Sequence, residues 1–194
     1  MPAKGDDFAA LDPNFRSGES YVGVNQPLAA LPLPALPPSA LSPLSERTLR
    51  ICRAATRYCA LRGWAPVAEM PLPNGRRADI LALLPNGGFA VVEVKSCARD
   101  FLSDGKWPEY RDYCDHLYFA VDLDFPEDLL PRDAGLLVTA GMETDLRREA
   151  APHPLSPARR RALLHRYAVV AAVRLAALSD PAGQAELRAA LRVE

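Results

Sequence analysis

Three charged residues stand where apolar strands ought to have none. Glu93 interrupts the run FAVVEV (89–94), Lys95 follows two positions on, and Asp79 breaks the earlier run RADILALL (77–84). Asp and Glu are poor strand formers, and an ionised carboxylate in a buried strand is expensive unless something pairs with it. Between the runs lies Pro85-Asn86-Gly87, a strong hairpin signal. With those three residues as the loop, Leu84 faces Gly88 and Asp79 falls directly opposite Glu93. With a two-residue loop the pair is diagonal. Adjacent strands lie about 4.8 Å apart, so either register brings the two carboxylates within reach of one ion. Glu93 and Lys95, two apart, share a face.

Two like charges facing each other call for something positive between them. A divalent cation meets that need, with Lys95 adding a further charge. Two carboxylates with open coordination positions suit Mg²⁺ or Mn²⁺, hard ions that keep waters and accept phosphate oxygens. Such an ion polarises a scissile phosphate and activates a bound water, while a lysine can orient that water or meet charge building on the phosphorane. A lone Glu-x-Lys is more simply a structural ion pair at a strand end. An Asp in one hairpin strand, Glu-x-Lys in the next, matched register and apolar flanks together point to a metal-dependent phosphodiesterase.

The surrounding elements must hold that hairpin. Ser45 is positioned to cap a helix from Glu46 to about Arg62, with Leu49, Cys52, Ala55 or Thr56, and Cys59 on one face and Gly63 as the stop. Residues 64–70 read as a strand, closed by Pro71, Pro73, Asn74 and Gly75. After the hairpin, 100–115 reads as mostly helical from about Lys106. Strands are expected over 116–121 and 134–140, with a further one over 145–150. Ser156-Pro157 opens a helix running to about Ser179, and 184–193 can add a short last one. The order predicts an α/β domain, a mixed central sheet flanked by helices, over 44–180, with a short helical extension over 181–194. Eight of the 19 prolines fall within residues 1–43, and the alternation of Pro with Leu and Ala there allows neither helix nor central strand, so 1–43 is expected to be a flexible or extended tail.

The bulk numbers bound the answer. With 194 residues, one domain plus tails is the default. A net charge of −1 does not advertise a nucleic-acid partner, so basic surface must come from local clusters. Cys52, Cys59, Cys97 and Cys114 have no Cys-x-x-Cys spacing, and His116, His153 and His165 complete no zinc pattern, so the cysteines read as reduced packing thiols of a cytoplasmic protein. The start, with Lys4, Asp6 and Asp7, is unlike a signal peptide, and 167–178, interrupted by Arg174, reads as too short to span a membrane.

The carboxylate pair and lysine resemble the signature of the PD-(D/E)xK nuclease superfamily, an Asp on the second strand and (D/E)-x-K on the third, here Asp79 and Glu93-Val94-Lys95. Ala78 replaces the usual proline, a departure that does not touch metal binding. More narrowly, Gly75 to Asp79, Val92 to Ser96, Lys106-Trp107-Pro108-Glu109-Tyr110 and Tyr113-Cys114-Asp115 resemble the MmcB family of presumed DNA-repair endonucleases, over about Glu46 to Leu178. The resemblance implies a restriction-endonuclease-like core (helix, three-strand meander, helix, strand), DNA as substrate, and Mg²⁺ or Mn²⁺ held by Asp79, Glu93 and the Val94 backbone carbonyl, with Glu46 or Glu69 as a further carboxylate. It does not separate endonuclease from exonuclease. A non-catalytic DNA-binding or scaffold protein on the same fold is the alternative.

Candidate DNA contacts are Arg76 and Arg77 at the hairpin mouth, Lys106 and Tyr110 four apart on one helix face, and Arg159, Arg160 and Arg161, whose charge opposes the dipole of the helix they open. Trp107 reads as a core anchor. A homodimer and a protein partner for the proline-rich segment stay open; no heptad pattern shows, and no membrane partner is expected.

Overall fold

The computed structural model describes residues 43–183 and 186. The expected tail thus lies, but for Pro43, outside the described residues, as does most of the 181–194 extension. The domain is a six-stranded mixed sheet flanked by helices, with strands β1 (Ala65–Pro71), β2 (Arg77–Leu83), β3 (Phe89–Lys95), β4 (His116–Asp122), β5 (Gly135–Ala140) and β6 (Glu143–Arg148) in spatial order β1 to β6. β1, β2 and β3 form an antiparallel meander, β3, β4 and β5 run parallel, and β6 returns antiparallel.

The hairpin adopts the three-residue loop. Leu83 pairs with Phe89 and Ile80 with Val92, the Gly87 amide closes on the Leu84 carbonyl at 2.9 Å, and Gly87 takes φ 78°, the left-handed turn that glycine enters without penalty. The Asn86 side chain braces the loop by accepting the Gly88 N–H at 3.0 Å.

Helix α1 (Pro43–Leu61) crosses one face of the sheet. It begins two residues before the expected cap, with Ser45 inside it: proline is preorganised for a first helical turn. Its deepest residues are Ile51, Ala55 and Cys59, against Ile80, Ala82, Val92, Val94, Tyr118 and Ala120. Leu49 and Cys52 are only half-buried, so the inward stripe is rotated from the expected one.

The opposite face carries α2 (Ala98–Ser103), a 3₁₀ helix (Trp107–Tyr113) and α3 (Pro157–Ser179). The expected α-helix from Lys106 is therefore a 3₁₀ segment, opened by Pro108, which has no N–H to extend a ladder backwards. At three residues per turn, Lys106 and Tyr110 no longer share a face. Trp107 is the expected anchor, stacked on Phe101 at 6.4 Å and edge-on to Phe119 at 5.6 Å.

α3 lies along the outer edge of β1. The Tyr167 hydroxyl donates to the Ala65 carbonyl at 2.7 Å, Arg166 to Pro71 at 2.8 Å, and Arg174 to both Ala68 and Glu69. Four carbonyls of this edge strand are thus satisfied by helix side chains. Glu69 has φ 50°, the left-handed region for a non-glycine residue, and its position lapses from the β1–β2 ladder between Ala68↔Ile80 and Met70↔Ala78.

Candidate active site

Backbone pairing of β2 with β3 stops at Ile80↔Val92, one position short of Asp79 and Glu93. Side chains fill the gap. The Asp79 carboxylate accepts the Val94 N–H at 2.8 Å, and the Glu93 carboxylate accepts the Asp79 N–H at 3.4 Å. The Val94 N–H thus points into the gap. N–H and C=O of one strand residue face the same neighbour, so the Val94 carbonyl faces it too.

Burial dominates the electrostatics. Glu93 is 3% exposed and Lys95 4%. Burial, then the charge of Asp79, pushes the Glu93 carboxyl up to about 9, beyond what Lys95 offsets. Burial also raises Asp79, against the Val94 hydrogen bond and Lys95. Lys95 Nζ lies 3.8 Å from Glu93 and is bonded to Asp104, which ends α2. Burial pulls the ammonium down, but Asp104 and Glu93 outweigh it and hold it above its ordinary value. Asp104 in turn sits low despite its own desolvation, because Lys95 and the Lys106 N–H bind it.

Asp104 is the site residue that sequence reasoning missed. Its signal was the Asp104-Gly105 turn dipeptide, just ahead of the stretch read as helix from about Lys106. Cys52 is a second: on α1 it lies near enough to Asp79 that burial and that charge push its thiol up to about 11.

The other candidates divide. Tyr110 is buried, donates to the Arg77 carbonyl at 3.2 Å, and has its phenol pushed up by burial and then by Glu93 and Asp79. It belongs to the wall of the site, not to an exposed helix face. Arg77 is exposed and paired with Glu69, and Arg76 grips Glu109 at 2.8 and 3.0 Å. Lys106 is exposed. Glu69 falls opposite Asp79 by register but is turned to Arg77, and Glu46 stays exposed in the first turn of α1 without bonding to the pair.

The structure divides the arginine triplet. Arg160 is committed to Asp115, at 2.7 and 2.8 Å, and to the Gly87 carbonyl at 3.0 Å, at the loop end of the hairpin and away from Glu93 and Lys95. Arg159 pairs with Asp112 at 2.9 Å, and Arg161 is exposed. Arg160 locks α3 to the sheet through Asp115, which also accepts Phe89 N–H at 2.7 Å and Leu155 N–H at 2.9 Å.

Among the described residues no group of three or more His, Cys, Asp and Glu is arranged to hold a metal. The donor set is two carboxylates and a carbonyl on the same side of β3, with the Glu93 carboxyl pushed up to about 9 by burial and then by Asp79. That fits a hard divalent ion that completes its shell with waters and substrate oxygens.

The family model for DNA repair protein MmcB-like matches residues 36–182. Among solved structures the chain is similar to a protein of unknown function from Silicibacter pomeroyi, at 39% identity and a TM-score of 0.67, over 74% of this chain and 95% of that one. No curated protein matches.

Proposed function

The chain belongs to the MmcB-like family of DNA repair proteins, and on that premise we propose that it is a metal-dependent DNA phosphodiesterase of the PD-(D/E)xK type on a restriction-endonuclease-like core. One observation carries the reading. Asp79 and Glu93 face each other in a gap between strands, and their mutual repulsion and burial are so poorly offset that Glu93 is driven to about 9. A fold gains nothing in stability from such a pair; a cation-binding site needs it.

In this reading Asp79, Glu93 and the Val94 carbonyl hold Mg²⁺ or Mn²⁺. The ion, when bound, supplies Lewis acidity toward the scissile phosphate and a water of lowered pKa. Lys95 donates toward the attacking water and the charge growing on the phosphoryl oxygens, which requires its hydrogen bond to Asp104 to loosen or be shared. Tyr110 and the β1 edge wall the site from bulk water. Arg77 and Lys106, exposed on either side, are the residues to meet the phosphodiester backbone.

The alternative, a DNA-binding or scaffold protein without catalysis, draws on the hold of Asp104 on Lys95. One experiment separates them: incubation with single-stranded, double-stranded and branched DNA, with Mn²⁺ and with chelator. Mn²⁺-dependent cleavage that Asp79→Ala abolishes supports the enzyme. DNA binding with no cleavage of any substrate supports the scaffold.

A further inference from the structure

The two long helices turn unlike faces to solvent. α3 is long and apolar enough by length and composition to cross a membrane, contrary to the sequence reading, yet four side-chain hydrogen bonds tie it to β1. α1 is the basic one. It carries Arg47, Arg50, Arg53 and Arg57 against a single acid, Glu46. Arg47 donates to Asp122 at 3.1 Å and pairs with Asp124, and Arg50 lies 3.9 Å from Asp122. Arg53 and Arg57 are exposed, and neither forms an ion pair among the described residues. Arg62, Arg77, Arg147 and Arg159, exposed elsewhere, each face a carboxylate. Like charges four apart on a helix repel and weaken it, so Arg53 and Arg57 do nothing for α1 itself.

The row also begins at the candidate active site. Asp122, which Arg47 holds, follows Val121, the residue of β4 that pairs with Lys95. Cys52, next to Arg53, is close enough to Asp79 for that charge to raise its thiol, after burial. From Arg50 to Arg57 the row is about 10 Å long at about 1.5 Å per residue, the axial length of about three phosphates on one DNA strand. The one aromatic residue of α1, Tyr58, is turned edge-on to Trp64. The row therefore has charge without a stacking platform, which suits the backbone of a duplex and not unstacked bases. We propose that Arg53 and Arg57, with Arg50 beside them, bind the phosphate backbone of duplex DNA where it leaves the proposed cleavage site. The inference rests on that reading in taking DNA as the partner, but it needs neither metal nor catalysis. These arginines supply the local basic cluster that a chain of net charge −1 requires.

The test is the affinity of the full chain for a duplex of about 30 base pairs, roughly 100 Å at 3.4 Å per pair, across a salt series in chelator. The double variant Arg53→Ala/Arg57→Ala should lower the slope of log affinity against log salt by about 1.8, or about 0.9 for each phosphate released, and weaken binding by about one to two orders of magnitude near 0.1 M salt. It should melt no lower than wild type, since alanine favours an exposed helix position and the repulsion is gone. Arg53→Lys/Arg57→Lys, which keeps the charge, should keep the slope. Arg132→Ala is the control: Arg132 is exposed ahead of β5, at the other end of the parallel strands from Lys95, and its loss should leave the slope unchanged. A slope that the double alanine variant does not change overturns the proposal, as does a loss that Arg132→Ala matches, which makes it an effect of net charge. A wild type that binds phosphatidylserine vesicles through these arginines and no duplex equally overturns it. Duplex binding that depends on Arg53 and Arg57, in a protein that cleaves nothing in Mn²⁺, upholds this surface and sinks the phosphodiesterase instead.

Discussion

Asp79 and Glu93 each accept a hydrogen bond from the other's strand, at 2.8 Å from Val94 N–H and 3.4 Å from the Asp79 N–H. The sheet thus keeps its hydrogen bonds where the backbone ladder has parted, and the two carboxylates are held toward each other by the arrangement that their charges oppose.

Adding Mg²⁺ or Mn²⁺ should therefore raise the melting temperature. At a hundredfold excess over Kd the stabilisation is about 2.7 kcal/mol. Asp79→Ala and Glu93→Ala should each lose this metal-dependent increase and all metal-dependent cleavage, while the metal-free proteins still unfold cooperatively. Differential scanning calorimetry with and without metal checks it. An Asp79→Ala protein that still cleaves at the wild-type rate sinks the assignment.

Lys95 should serve chemistry more than binding. Lys95→Ala leaves both carboxylates in place, so single-turnover cleavage in Mg²⁺ should fall by about 10²–10³ while DNA affinity in Ca²⁺ changes little. Equal losses of rate and affinity would make Lys95 a binding residue.

On the proposed mechanism Lys95 must loosen its hydrogen bond to Asp104 before it meets the phosphate. Asp104→Ala removes a negative charge from the DNA face, so affinity in Ca²⁺ should rise severalfold, while the rate falls about tenfold as Lys95 loses its anchor. A rate that rises with affinity would show Asp104 to be purely inhibitory.

Salt dependence should locate the DNA face. Arg77→Ala should lower the slope of log affinity against log salt by about 0.9 for each phosphate that the arginine neutralises. Arg159→Ala should leave it unchanged, since Arg159 pairs with Asp112 beyond the loop end of the hairpin. A flatter slope seen with Arg159→Ala alone would move the DNA to the other end of the sheet.

Asp115 should govern acid stability. Burial raises its pKa, but Arg160 and the N–H groups of Leu155 and Phe89 outweigh that and hold it below the ordinary value. With the folded pKa depressed, the native state binds fewer protons than the unfolded chain. The stabilisation is then fully present above the unfolded pKa of about 3.9 and lost as pH falls through the folded one. Asp115→Asn should cost about 3 kcal/mol at neutral pH, leaving donors facing donors, and should flatten the loss below about pH 4. Urea melts from pH 3 to 7, the range either side of that transition, report both.

The hairpin was legible in the sequence because a period of two and a proline-asparagine-glycine loop allow few registers, and one of these sets Asp79 opposite Glu93. Trp107 was legible as an anchor by its size. Three things were not. Pro108 changes the helix type after α2, which no periodicity count on so short a segment shows. Asp104 reaches Lys95 only because that chain turns back over β3. The arginines of α3 have the same composition whether they face DNA or grip Asp115, and only the packing of α3 on β1 decides.

The side chains that α3 lends to β1 have a consequence for the protein's life in a crowded solution. A sheet grows at its margins, and one margin here offers no vacant carbonyl along Ala65, Ala68, Glu69 and Pro71, while the other, β6, places the charges of Glu143, Asp145 and Arg147 at alternate, exposed positions. Neither margin templates an incoming strand. That protection on the β1 side is contributed by residues about a hundred positions downstream, so it arrives only when synthesis and folding have reached α3. A nascent or clipped chain ending before Tyr167 exposes the meander as a sticky edge, and the cost of losing α3 is insoluble protein before it is lost chemistry.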